Sequence, residues 1–230
     1  MRKTIFISDS TCIYHIYNRG VDKRNIFLEN DDYVRFIHDL FEFNDITPAK
    51  QFSRCQNSIE NTACYKKREI IIEILAYCLM PNHYHFLLRQ KKELGIAKFM
   101  QRLGTGYTMY FNKKYQRSGT LFQGTFKAIL INDESYFKYV PYYIHSNPLS
   151  LFNPNWKKID IESIEKATKF LENYRWSSYL DYIGQKNFPS IVSNQFLNEI
   201  WKSPENYKKL MHNWLKDINL QNIKDFIIEE

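Results

Sequence analysis

The run Ile70-Ile71-Ile72-Glu73-Ile74-Leu75-Ala76-Tyr77-Cys78-Leu79 stops at Pro81-Asn82 and resumes as Tyr84-His85-Phe86-Leu87-Leu88-Arg89. Branched and aromatic residues at this density predict strands, and Pro-Asn turns the second strand back antiparallel to the first. The first strand carries one charge in ten residues and reads as buried. A chain holding this hairpin must supply further strands and helices to cover it.

The flanking segments supply them. Cys12-Ile13-Tyr14-His15-Ile16-Tyr17 reads as a strand ending in the turn Asn18-Arg19-Gly20. Asp31 or Asp32 can cap a helix through Val34, Ile37, His38, Leu40 and Phe41. From about 44 to 69 the pattern dissolves into polar residues, a long surface loop or insertion. After the hairpin, Ile96, Phe99, Met100, Leu103, Tyr107 and Tyr110 follow helical spacing into the basic stretch Asn112-Lys113-Lys114-Tyr115-Gln116-Arg117-Ser118-Gly119. Phe122 to Ile131, with Lys127, reads as another strand. Asn132 or Asp133 then caps a helix through Tyr136, Phe137, Val140 and Ile144, which Asn147-Pro148 stops. The order β-α-β-β-α-β predicts an α+β fold, a ferredoxin-like antiparallel sheet with helices on one face. Residues 1–150 form the main domain and 151–230 a helical C-terminal extension. Nucleic-acid-binding modules use the open face of such sheets.

At 44% hydrophobic over 230 residues, the chain can bury one sizeable core. No run approaches the roughly 20 apolar residues that span a bilayer. The start, Met-Arg-Lys-Thr-Ile-Phe-Ile-Ser, is too soon polar for a secretory signal. Cys12, Cys55, Cys64 and Cys78 form no C-x-x-C pair and suit a reduced, cytoplasmic setting. A net charge of +7 favours phosphate-rich partners, although many soluble proteins carry a mild positive excess. Seventeen Tyr and seventeen Phe exceed the obvious needs of the core, and exposed rings stack on unpaired bases.

His83 and His85 lie two apart on the second hairpin strand, so both imidazoles face the same way while Tyr84 and Phe86 face the other. The pair is either half of a divalent-metal site or two half-buried histidines bonded to the next strand. Tyr143 and Asn147, four apart on a later helix, share one face there. Two imidazoles and an amide oxygen with open positions suit Mg²⁺ or Mn²⁺ acting as a Lewis acid on a phosphate, with Tyr143 a candidate nucleophile. Against this, Tyr136, Tyr139 and Tyr142 stand close by, and any of these rings could simply pack. His145, offset by about 200° from Tyr143 on the helix, is the weaker ligand candidate.

The segment Ala76-Tyr77-Cys78-Leu79-Met80-Pro81-Asn82-His83-Tyr84-His85-Phe86-Leu87-Leu88 resembles the His-hydrophobe-His strand of single-tyrosine HUH transposases, and among them most resembles REP-associated tyrosine transposases. Tyr14 to Gly20, Phe111 to Lys114, Gly119 to Gly124, Tyr143-Ile144-His145-Ser146-Asn147-Pro148 and Trp176-Ser177-Ser178-Tyr179 are similar to its other motifs, in the same order, over about residues 10 to 185. The resemblance implies metal-dependent cleavage and rejoining of single-stranded or hairpin DNA. His83, His85 and Asn147 would hold Mg²⁺ or Mn²⁺, and Tyr143 would attack the scissile phosphate to leave a 5′-phosphotyrosine. Arg19, Lys113, Lys114, Arg117 and Lys127 would contact DNA. Three positions depart from the pattern: Tyr84 in the middle of the motif, Thr125 where an Arg is expected, and Pro141 inside the tyrosine helix, where it kinks or restarts the helix and leaves the choice between Tyr142 and Tyr143 open. Other readings are a hairpin DNA- or RNA-binding protein without cleavage activity and a phosphodiesterase using activated water. A monomer and a homodimer with exchanged tyrosine helices are both compatible with the length of the extension.

Overall fold

The computed structural model describes residues 12–47, 68–156, 161–193 and 199–217. Strands β1 (Ile13–Arg19), β2 (Ile72–Met80), β3 (His83–Gln90) and β4 (Lys127–Ile131) form one antiparallel sheet in the order β2-β3-β1-β4. Helix α1 (Asn30–Glu42) connects β1 to β2, and α2 (Gly95–Lys114) connects β3 to β4. This is the α+β, ferredoxin-like order expected from the sequence. The last strand is shorter than predicted: Phe122 makes only an isolated bridge to Gly20.

The hairpin closes on the pair Met80–His83, leaving Pro81-Asn82 as a two-residue turn. The carbonyl of Pro81 accepts from the backbone of Ile26 and Phe27, which ties the turn to the segment after β1. Gly20 is required where that segment leaves the sheet, because a Cβ there would sit 2.3 Å from the carbonyl oxygen of Arg24.

The N-cap of helix α1 lies two residues before Asp31, the earlier of the predicted caps. Glu29 is its N-cap, and Asp32, at the third helical position, reaches back to accept from the backbone of Leu28 and Glu29 at 2.9 and 3.2 Å. Its buried stripe of Tyr33, Phe36, Ile37, Leu40 and Phe41 meets the face of β3 that carries Tyr84 and Phe86. Phe36 lies 5.4 Å from Tyr84 and edge-on to Tyr107 of α2 at 4.8 Å. Each such ring contributes about 1.5–3 kcal/mol by leaving water.

The two crossover helices share one face, as expected, and a third helix is added on the other. Helices α1 and α2 cover the Tyr84/Phe86 face, and α3 (Glu134–Ser146) lies across the opposite one, its Tyr143 against His85. The physical reason is β2, which is buried at eight of its nine positions and so needs cover on both sides. After α3 the chain forms α4 (Leu149–Phe152), α5 (Ile161–Leu171), α6 (Tyr179–Tyr182) and α7 (Pro204–Asp217). The C-terminal extension also closes the outer edge of β2. Leu79 donates to the carbonyl of Trp176, Ser178 to that of Tyr77 and Ser193 to that of Ile74.

Most of the predicted 44–69 insertion, with Cys55 and Cys64, lies outside the described residues. Its first residue is no surface loop. Asn44 is buried, accepts from the backbone of Ile71 and Ile72, and donates to the carbonyl of Ile72. Among the described residues no helix is long and apolar enough to cross a membrane.

Candidate active site

Strand register brings the polar residues of one sheet face together. Directly opposed residues share a face. Across the strands, Cys78 pairs with His85, His85 with Tyr17, and Tyr17 with Lys127. One step along, His83 faces Arg19. His15, two residues before Tyr17, completes the face. The outcome is a surface of three imidazoles, one phenol and two cations, with α3 laid across it.

The imidazoles are in contact. The rings of His83 and His85 are 5.2 Å apart and nearly perpendicular. His15 Nε2 is 3.0 Å from His85 Nδ1, and His83 Nδ1 is 2.6 Å from the Oδ1 of Asn82. His15 and His85 are fully buried, while His83 is half-buried. Both histidines of the H-x-H pair thus engage a neighbour through Nδ1. A ligating imidazole is held in this way when it presents Nε2 to a metal.

Helix α3 runs without a break through Pro141. Asp133 caps it, its carboxylate accepting from the backbone of Tyr136 at 2.8 Å. Tyr143 stands edge-on to His85 at 5.6 Å and to His15 at 5.8 Å. Tyr139, one turn earlier, stacks on Tyr143 at 6.4 Å. Burial, then the neighbouring Tyr17, pushes the Tyr136 hydroxyl up to about 12, and burial raises Tyr139 too. Tyr142 points elsewhere. It stacks on Tyr207 at 5.2 Å and accepts the indole N–H of Trp201 at 2.9 Å. Of the two neighbouring tyrosines, Tyr143 is the one whose ring meets the imidazoles.

Asn147 caps the C-terminus of α3 and donates through Nδ2 to the carbonyl of Tyr143 at 2.9 Å. Among the described residues no group of three or more His, Cys, Asp and Glu is arranged to hold a metal ion. The set expected from the sequence is two imidazole nitrogens and one amide oxygen. His145 is not part of it. It is fully buried, bonded to the Tyr207 hydroxyl at 2.6 Å and to Ser178 Oγ at 2.7 Å, and burial holds its pKa down to about 3.

The predicted DNA contacts fall into two groups. Arg19 and Lys127 share the imidazole face, with Lys127 Nζ 5.6 Å from the ring of Tyr17. Lys113, Lys114 and Arg117 lie at the end of α2, which packs on the other face. Lys113 is exposed. Lys114 is paired with the fully buried Asp32 at 2.7 Å and with Glu29. Arg117 bonds Asn112 Oδ1 at 2.9 Å and the carbonyl of Thr120 at 3.2 Å, pinning the loop after α2. His15 and Tyr17 were not singled out from the sequence, although the alternation His15-Ile16-Tyr17-Asn18-Arg19 places every second residue on one polar face.

Residues 49–147 match the family described as IS200-like transposases. The matched stretch, 99 of the 230 residues, contains β2, β3, α2, β4 and α3 with both histidines, Tyr143 and Asn147. Among solved structures the chain is similar to a REP-associated tyrosine transposase bound to a REP hairpin, at 11% identity and a TM-score of 0.52. The match covers 84% of this chain and 92% of that one, and the likeness is one of fold. No curated protein matches the sequence.

Proposed function

We propose that this protein is a transposase that cuts and rejoins single-stranded DNA beside a hairpin through a 5′-phosphotyrosine at Tyr143, with Mg²⁺ or Mn²⁺ held by His83, His85 and Asn147. The observation that carries the reading is the ring of Tyr143 edge-on to His85 on a face that also bears Arg19 and Lys127. The solved structure of similar fold holds a REP hairpin, which supports DNA of that kind as substrate.

The Tyr143 oxygen attacks the scissile phosphorus and loses its proton. The bond from phosphorus to the 3′ oxygen breaks, and that oxygen takes up a proton as a 3′-hydroxyl. The phosphodiester is conserved as a tyrosyl ester, so attack by a 3′-hydroxyl restores a DNA strand and the free phenol without ATP. Arg19 and Lys127 offset the phosphate charge, and the fixed backbone of α3 holds the phenol for attack. When bound, the ion supplies Lewis-acid polarisation of the phosphate and neutralises charge that develops in the transition state.

A synthetic hairpin with a single-stranded flank, incubated with Mg²⁺ or Mn²⁺, tests this. A covalent adduct at the 5′ end is expected with the unaltered protein and none with Tyr143→Phe. An adduct that survives Tyr143→Phe overturns the nucleophile. Tight hairpin binding with no adduct at any metal supports the binding-protein reading instead.

A further inference from the structure

We propose that His15 is a positioning residue that fixes the tautomer and orientation of His85, so that His85 offers Nε2 to the metal; this rests on the metal reading above. Its position is unusual for a histidine. His15 is fully buried, and its cross-strand partners Leu87 and Ile129 are both aliphatic. Burying an imidazole costs free energy that an aliphatic side chain would avoid, unless the ring is hydrogen-bonded. The bond is present, 3.0 Å from His15 Nε2 to His85 Nδ1.

One of these two nitrogens must donate and the other accept. If Nε2 of His85 is to ligate, the proton sits on its Nδ1 and His15 Nε2 accepts it. The rings lie 5.2 Å apart and 24° from parallel, so the contact also restrains the plane of His85. His15 touches the second half of the site as well, edge-on to Tyr143 at 5.8 Å, and it lies 5.5 Å from Tyr17. It therefore joins the imidazole pair to the nucleophile helix from a strand that contributes neither. Direct ligation through Nε2 of His15 is the competing role, and the bond argues against it, because that nitrogen is held against His85.

Calorimetric titration of the full-length, DNA-free protein with Mn²⁺ tests the proposal. His15→Phe keeps the ring and loses the acceptor, so the Mn²⁺ Kd rises about 10- to 100-fold. His15→Gln, whose amide oxygen reaches the place of Nε2, stays within about threefold of the unaltered protein. Hairpin affinity in chelator is the same for all three. If His15→Phe binds Mn²⁺ as the unaltered protein does, the role of His15 is overturned and the metal reading stands. If the unaltered protein takes up no Mn²⁺, both fall together. Should His15→Phe not fold, long-range ¹⁵N spectra of the unaltered protein decide: a proton on Nδ1 of His85 supports the assignment, and a proton on Nε2 overturns it.

Discussion

Tyr142 and Tyr143 are neighbours in sequence, yet about 100° of helical rotation sends them to opposite tasks. Tyr143 meets the imidazoles, and Tyr142 receives the Trp201 indole and stacks on Tyr207. Tyr142→Phe is therefore expected to keep adduct formation and to lose about 0.5–1.5 kcal/mol of stability, measured by urea unfolding alongside the nicking assay. His145, on a third side of the helix, carries a pH signature. Its pKa falls from 6.5 in the open chain to about 3 in the fold, because burial excludes the charged form. The unfolded chain thus takes up a proton below pH 6.5 that the fold refuses. Stability from this group is whole above that pH and is lost as pH falls towards 3, by at most about 1.4 kcal/mol per unit. Asp181, which burial pushes up to about 7, acts in the opposite direction. The effect is therefore read as a difference: unfolding free energies of the unaltered protein and His145→Gln should converge as pH drops from 6.5 to 4. A constant gap would show that His145 takes up its proton in the fold as readily as in the unfolded chain. None of this was legible from residue types alone, because spacing offered His145 only as a poor ligand and its partners lie 33 and 62 residues away.

At the scale of elements, the nucleophile helix is held from both ends and from behind. Asp133 caps its start, and Ser178 anchors its last turn from the extension. Ser178 Oγ bonds His145 and also accepts from the backbone of Tyr77 at 2.9 Å, so one hydroxyl joins α3 to β2. Ser178→Ala leaves both groups buried and unsatisfied, and a loss of about 1–3 kcal/mol is expected in thermal or urea unfolding. A variant as stable as the parent would mean that water replaces the hydroxyl. The order of strands and helices was readable because turn residues and periodicity are local signals. The Trp176-Ser177-Ser178-Tyr179 segment could be matched as a motif, but its contact with β2 depends on chain separated by about 100 residues. The same holds for the second covered face. Helical spacing showed that α3 has an apolar stripe, and only the register of β2 requires it to lie opposite α1 and α2.

For the whole molecule, the +7 charge is divided between cations that face the site and cations that hold the fold. Each phosphate contact contributes about 0.7–0.9 to the slope of log affinity against log salt. Lys127→Ala is expected to reduce the slope of hairpin binding, measured by fluorescence anisotropy across a salt series, by about that amount. Lys114→Ala should leave the slope unchanged and destabilise the fold by about 2 kcal/mol, since it removes the cation beside buried Asp32. If the two variants exchange effects, the division is wrong. The basic stretch at the end of α2 looked uniform in the sequence because charge is visible there and burial of its partner is not. The closure of β2 also bears on how the chain is made. The hairpin is complete by Gln90, but the residues that bond the outer side of β2 come about 100 positions later. At about 5–20 residues per second, ribosomes would leave that strand edge bare for roughly 5–20 s. During synthesis, then, the nascent hairpin needs a chaperone or a slow start to folding more than the finished protein does.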